Sequence, residues 1–135
     1  LIEITLIKDP AEVERLCREN GAGCPAGTLA YRMTQGGRKT GLCLFCLEAA
    51  AARGALLLVA AEEEGLLLAD GLIRSAVSWL YDRGAARVFA AQGALHGAKP
   101  DAETLLFRRL GFGPAQGGWE LEVTENFFQG CCAGK

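Results

Sequence analysis

Three carboxylates and one glycine separate an apolar run from a helical pattern in AAEEEGLLLADGLIRSAV, Ala60–Val77. A strand-to-helix junction can bind phosphate, because the helix start carries unpaired N–H donors and partial positive charge. Glycine lets an anion approach the backbone, but this turn holds only Gly65. Glu62, Glu63 and Glu64 oppose a polyanion; unit charges about 4 Å apart repel by roughly 4 kcal/mol at an effective dielectric of ~20. The single histidine, His96, lies in Gly93–Gly97, where its titration range suits proton transfer, although an ordinary loop residue is the simpler reading. Cys43 and Cys46 form a CxxC, and Cys131-Cys132 is a vicinal pair. Together they could offer four thiolates to zinc.

The elements around the CxxC argue against zinc. Leu42–Leu47 reads as a strand apolar on both faces, so positions 43 and 46 point to opposite sides of it. No turn residue interrupts it, and buried thiols acting as small hydrophobes explain it better. No metal site is assigned. The apolar tail Phe127-Phe128-Gln129-Gly130-Cys131-Cys132 carries a separate expectation, a reactive or redox-active thiol.

Those residues need a frame. The chain has 135 residues, half of them hydrophobic, with 22% charged and a net charge of -2. That suffices for one domain, 1–135, with a real core. The 14 basic residues are scattered, which excludes a nucleic-acid footprint. No apolar run suggests a membrane span, and the first residues lack the features of a signal peptide. A cytoplasmic location is expected, with the six cysteines as thiols.

Alternation predicts a strand over Leu1–Ile7. Asp9 as N-cap and Pro10 at the first position then open a helix that ends at Gly21. Strands follow around Leu29–Met33, Leu42–Leu47 and Leu56–Ala61, joined by the turns Gln35–Arg38 and Ala51–Gly54. The stripe Leu68, Leu72, Ala76 and Leu80 predicts a helix over Leu68–Arg83. Arg87–Ala91 is a strand and Gln92–Pro100 a loop. Asp101 caps a helix ending at Leu110, and Trp119–Val123 is an edge-like strand. This order predicts an α/β (α+β) fold, a mixed sheet with helices on its faces.

The order, with Leu106-Phe107-Arg108-Arg109-Leu110-Gly111-Phe112 and Trp79–Val88, resembles the GNAT family of acyl-CoA-dependent N-acyltransferases. The first stretch is similar to the family's late helix and turn, written like LYEKLGF. The second corresponds to the end of the long helix and the start of the next strand. The resemblance runs from about Leu29 to Val123, and one helix near the N-terminus stands where the family usually has two. It implies a GNAT-like fold with a central, mostly antiparallel twisted sheet and helices on both faces. It also implies acetyl-CoA as acyl donor and an amine of a small molecule or protein as acceptor, and it allows a homodimer.

In such a fold the strand before the long helix splays from its neighbour and offers backbone groups to pantetheine, here from Val59 and Ala61. The following loop turns its amides to the pyrophosphate, here from Gly65, Leu67, Leu68 and Ala69. The family's loop signature, Arg/Gln-x-x-Gly-x-Gly/Ala, falls on Glu64–Ala69 and agrees only at Ala69. The tyrosine that often protonates the leaving thiolate corresponds to Phe107, and an asparagine often found seven residues earlier corresponds to Pro100. Transfer to an amine often needs a general base. Glu48 and Glu62 end adjacent strands and are the catalytic candidates, with solvated strand ends as the plainer reading. A non-catalytic GNAT-like binding or regulatory module is the alternative function, and a thiol or metal protein using the cysteine pairs is a third.

Overall fold

The computed structural model describes residues 1–62 and 65–128, with the backbone alone for 65 and 66. Its elements are β1 (Ile2–Ile7), α1 (Pro10–Glu19), β2 (Leu29–Gln35), β3 (Arg38–Glu48), β4 (Arg53–Ala61), α2 (Gly65–Asp82), β5 (Arg87–Ala91), α3 (Pro100–Arg109), β6 (Gly113–Ala115) and β7 (Gly118–Glu122). The strands form a seven-stranded sheet in the order β1-β2-β3-β4-β5-β7-β6. Every neighbouring pair is antiparallel except β4 and β5, which α2 connects.

Alternation along the strands divides the core between two faces. Met33, Cys43, Phe45, Leu56 and Val59 pack with Leu72, Ile73, Ala76 and Leu80 of α2 and with Leu106 and Phe107 of α3. Ala30, Leu42, Leu44 and Leu58 pack on the other face against Val13, Leu16 and Cys17 of α1. Helices therefore cover both faces, as the resemblance implies.

Several assignments differ from the sequence reading, among them the starts of β3 at Arg38 and β4 at Arg53, earlier than Leu42 and Leu56. The long helix α2 begins at Gly65 rather than Leu68, because the apolar stripe marks only the part that is buried. Helix α3 begins at Pro100 with Lys99 as N-cap, not at a cap on Asp101. Proline suits the first helical position and forces an extended residue before it, and Lys99 has ψ 152°. The strand holding Trp119 is not an edge, since the three residues of β6 pair outside it. Asp9 does occupy the N-cap position of α1, although its side chain makes no capping hydrogen bond.

Candidate functional site

The site begins with a defect in β4. Along β3 the partners step from Leu44↔Leu58 to Phe45↔Leu56, which leaves Leu57 as an extra residue. Such a bulge bends its strand and ends regular pairing. Leu57 and Leu58 consequently both face the α1 side, whereas Leu56 and Val59 face α2 and α3. The parallel ladder with β5 stops at Leu56↔Ala90, beside the bulge. Beyond it β5 has only Ala91 left, while β4 runs on to Ala61 without pairing with β5, which leaves a split in the ladder at the C-terminal ends of the two strands. Helix α2 starts just past that end of β4.

The loop after β5 fills part of this split. The Val59 N–H donates to the Ala94 carbonyl at 2.8 Å, and the Val59 carbonyl accepts from the His96 N–H at 2.7 Å. Leu95 thus makes an isolated parallel bridge with Val59. Ala94 and Leu95 are buried in the larger core cluster. His96 contributes its main chain, and its ring lies on an exposed residue.

The expected site residues fall into different places. Both main-chain groups of Val59 are engaged within the chain. Ala61, two residues on, presents its N–H and carbonyl to the same side of β4 by alternation. Gly65, Leu67 and Leu68 stand in the first turn of α2, where N–H groups lack intrahelical acceptors. Leu67 is 75% exposed, while Ala69 is buried in the second turn. Glu62 lies at the split end of β4, half-exposed, and accepts a 2.6 Å hydrogen bond from Arg38.

Glu48 lies at the other end of the sheet. β3 and β4 run antiparallel, so the C-terminal end of β3 lies beside the start of β4. Glu48 pairs there with Arg53 at 2.9 Å. The nine residues of β4 put it roughly 27 Å from Glu62 at about 3.3 Å per residue. Both glutamates end adjacent strands, but at opposite ends of the sheet, and only Glu62 is at the split.

On the α1 side of that end is a cavity of about 300 Å³, with Asn20, Thr40, Ala61 and Glu62 among its walls. The Thr40 hydroxyl is buried and has no hydrogen-bond partner among the described residues. On the α2 and α3 face of the sheet, Phe107 is fully buried. Its ring packs against Phe112 at 5.0 Å and Trp119 at 5.9 Å between centroids.

One polar residue of this region escaped the sequence reading. Glu103 is only 5% exposed. Its carboxylate accepts hydrogen bonds from the Gly93 N–H (3.0 Å), the Leu95 N–H (3.2 Å) and the Trp119 indole N–H (3.3 Å). Periodicity carried the signal: positions 103, 106, 107 and 110 form one buried stripe of the late helix, with an acid among apolar residues.

Burial governs the cysteines. Cys43 faces α2, and its thiol is pushed up to about 12 by desolvation. Cys46 is raised by burial and then by Glu48. Three positions apart on one strand, the two occupy opposite faces. Cys17 is raised to about 12, chiefly by burial, with a hydrogen bond to Cys24 adding to it. The Cys131-Cys132 pair lies outside the described residues. No helix among the described residues is long and apolar enough to cross a membrane.

The path of the whole chain is similar to that of solved acetyltransferases. The ribosomal-protein-S18-alanine N-acetyltransferase of Escherichia coli superimposes with a TM-score of 0.62 at 16% identity, over 89% of each chain. A structure from Desulfovibrio desulfuricans assigned to the GNAT family gives 0.64 at 17% identity, over 92% of this chain and 100% of that one. The chain has the GNAT acetyltransferase fold. The N-acetylglutamate synthase of Neisseria gonorrhoeae, solved with coenzyme A and N-acetylglutamate, gives 0.56 at 16% identity, over 85% of this GNAT-fold chain and 29% of that one. No protein-family model matches the chain, and no curated protein sequence does.

Proposed function

We propose that the protein is an acyl-CoA-dependent N-acyltransferase, with acetyl-CoA as donor and the amine of a small molecule or protein as acceptor. The observation that carries this reading is the split at Leu56↔Ala90, with α2 starting beyond it. An extended chain bearing amide groups suits the side of Val59 and Ala61 turned away from β3. The anionic end of the donor suits the amides of Gly65, Leu67 and Leu68, although Glu62–Glu64 weaken that attraction and make it sensitive to salt.

The acceptor is proposed to enter by the cavity bounded by Asn20, Thr40 and Glu62. Its amine attacks the thioester carbonyl carbon, the C–N bond forms, and the C–S bond breaks. Glu62, directly or through water, takes the proton lost by nitrogen. Phe107 has no proton to give, so the departing thiolate is protonated by solvent. In an amine screen that follows thiol release, Glu62→Gln is expected to lower kcat by about 100-fold, at the lower end of general-base effects. Unchanged turnover in that variant would remove Glu62 from the role. Absence of thiol release with every amine would count against the enzyme.

A second reading, a non-catalytic GNAT-like module that binds a ligand or partner, is favoured by one specific observation. The Val59 main-chain groups that would receive the donor are already hydrogen-bonded to Ala94 and His96. Phe107 and Pro100 point the same way.

A further inference from the structure

The segment after β5 does more than connect it to α3. Ala94 and His96 extend the sheet pattern across the split by pairing with Val59 as a parallel strand would. Leu95 and Ala94 are buried there, so the segment is seated by apolar area as well as by hydrogen bonds. Glu103 grips it from below through the N–H groups of Gly93 and Leu95. The same carboxylate holds the Trp119 indole on β7, so one acid ties the segment to the sheet. A carboxylate this deeply buried is expensive to strip of its donors, and hydrogen bonds to a charged acceptor are among the stronger ones. A neighbouring cavity of about 270 Å³, bounded by Gln92, Gly93, Glu103 and Trp119, brings solvent within reach of the latch.

We propose that Gly93–His96 is an intrachain plug, latched by Glu103, that occupies the place of the acyl-CoA chain along β4 and must withdraw before the donor enters. The proposal rests on the acyl-CoA reading above. It follows because Val59 has one N–H and one carbonyl on that side, and the plug and an incoming chain compete for both. The plugged and open forms are then in equilibrium, and the apparent affinity for donor falls by the fraction that is open. Glu103 acts as a positioning residue, since it touches the plug and not the donor.

The test is acetyl-CoA titration of the wild-type protein, Glu103→Gln and Leu95→Gly, with amide hydrogen exchange and Tm measured on the same samples. Glu103→Gln leaves no charged oxygen to accept from both loop amides, and Leu95→Gly removes the apolar anchor while keeping Glu103. Both variants are expected to bind acetyl-CoA on the order of tenfold more tightly while losing Tm. A merely structural Glu103 would lower Tm without tightening binding. Saturating acetyl-CoA is expected to release the Leu95 and His96 amides from protection in the wild-type protein. Binding by all three proteins at equal affinity, with those amides still protected, would overturn the plug and leave the acyl-CoA reading intact. Binding by the variants alone would support the plug. No binding by any folded protein of the three would overturn the plug and the acyl-CoA reading together. Should Glu103→Gln fail to fold, Leu95→Gly decides by the same outcomes.

Discussion

Phe107 sits between the rings of Phe112 and Trp119 with no exposed surface, so its role is packing. Restoring a phenol there tests that role. Phe107→Tyr places a hydroxyl in an apolar site and is expected to cost about 1–3 kcal/mol of stability unless the group finds a partner. It is expected to bring no gain in thiol release. Urea unfolding and a turnover assay measure both, and a variant as stable as the wild type with faster turnover would show that the phenol reaches the thiolate. The motif around this residue was legible in the sequence as a helix and turn. Its burial was not, because Phe and Tyr fit the same stripe and only the packed neighbours show what faces the ring. Glu48 illustrates the same gap: its strand end was read correctly, but strand direction placed it far from Glu62.

The split depends on how closely the elements beside it approach. Gly118 of β7 pairs with Ala91, and a Cβ at Gly118 would overlap the Ala90 carbonyl oxygen. Backbone cannot yield as a flexible side chain does, so Gly118→Ala is expected to push β7 from β5 and destabilise the fold by about 2 kcal/mol, within the usual range for overpacking. A thermal melt with amide exchange at Val88 and Ala90 checks this. Unchanged protection at those amides would show that β5 and β7 can separate without cost. At this scale six of the seven strands were readable from alternation and turns, and the three-residue β6 was not. The bulge at Leu57 was not, since LLLVAA is apolar throughout and alternation has nothing to register against. The plug was equally hidden, because a loop containing Ala94-Leu95 gives no periodicity from which pairing with Val59 could be inferred.

Deeply shielded thiols tie the stability of the whole molecule to alkaline pH. Cys17 and Cys43 each titrate at about 12 in the fold, against an ordinary value near 9, with desolvation the leading cause. The folded state therefore keeps protons that the unfolded chain loses. This contribution is full below pH 9 and is lost as pH rises from 9 toward 12. Urea unfolding followed across that window is expected to show a steady decline, and a flat profile to about pH 11 would show that these thiols ionise without unfolding the chain. The mixed sheet, the helix on each face and the GNAT-like path were all legible in the order of elements and in LFRRLGF. What remained illegible was whether the backbone at the split is free, because that is set by main-chain direction and loop placement rather than by residue type.

The most direct measurement is a main-chain amide NMR titration of the reduced protein with acetyl-CoA, at low and moderate salt. Donor binding in the split predicts salt-sensitive shifts confined to Val59, Ala61, the first turn of α2 and Gly93–His96. Resonances that stay fixed up to millimolar acetyl-CoA, or that move only on the α1 face, would contradict it.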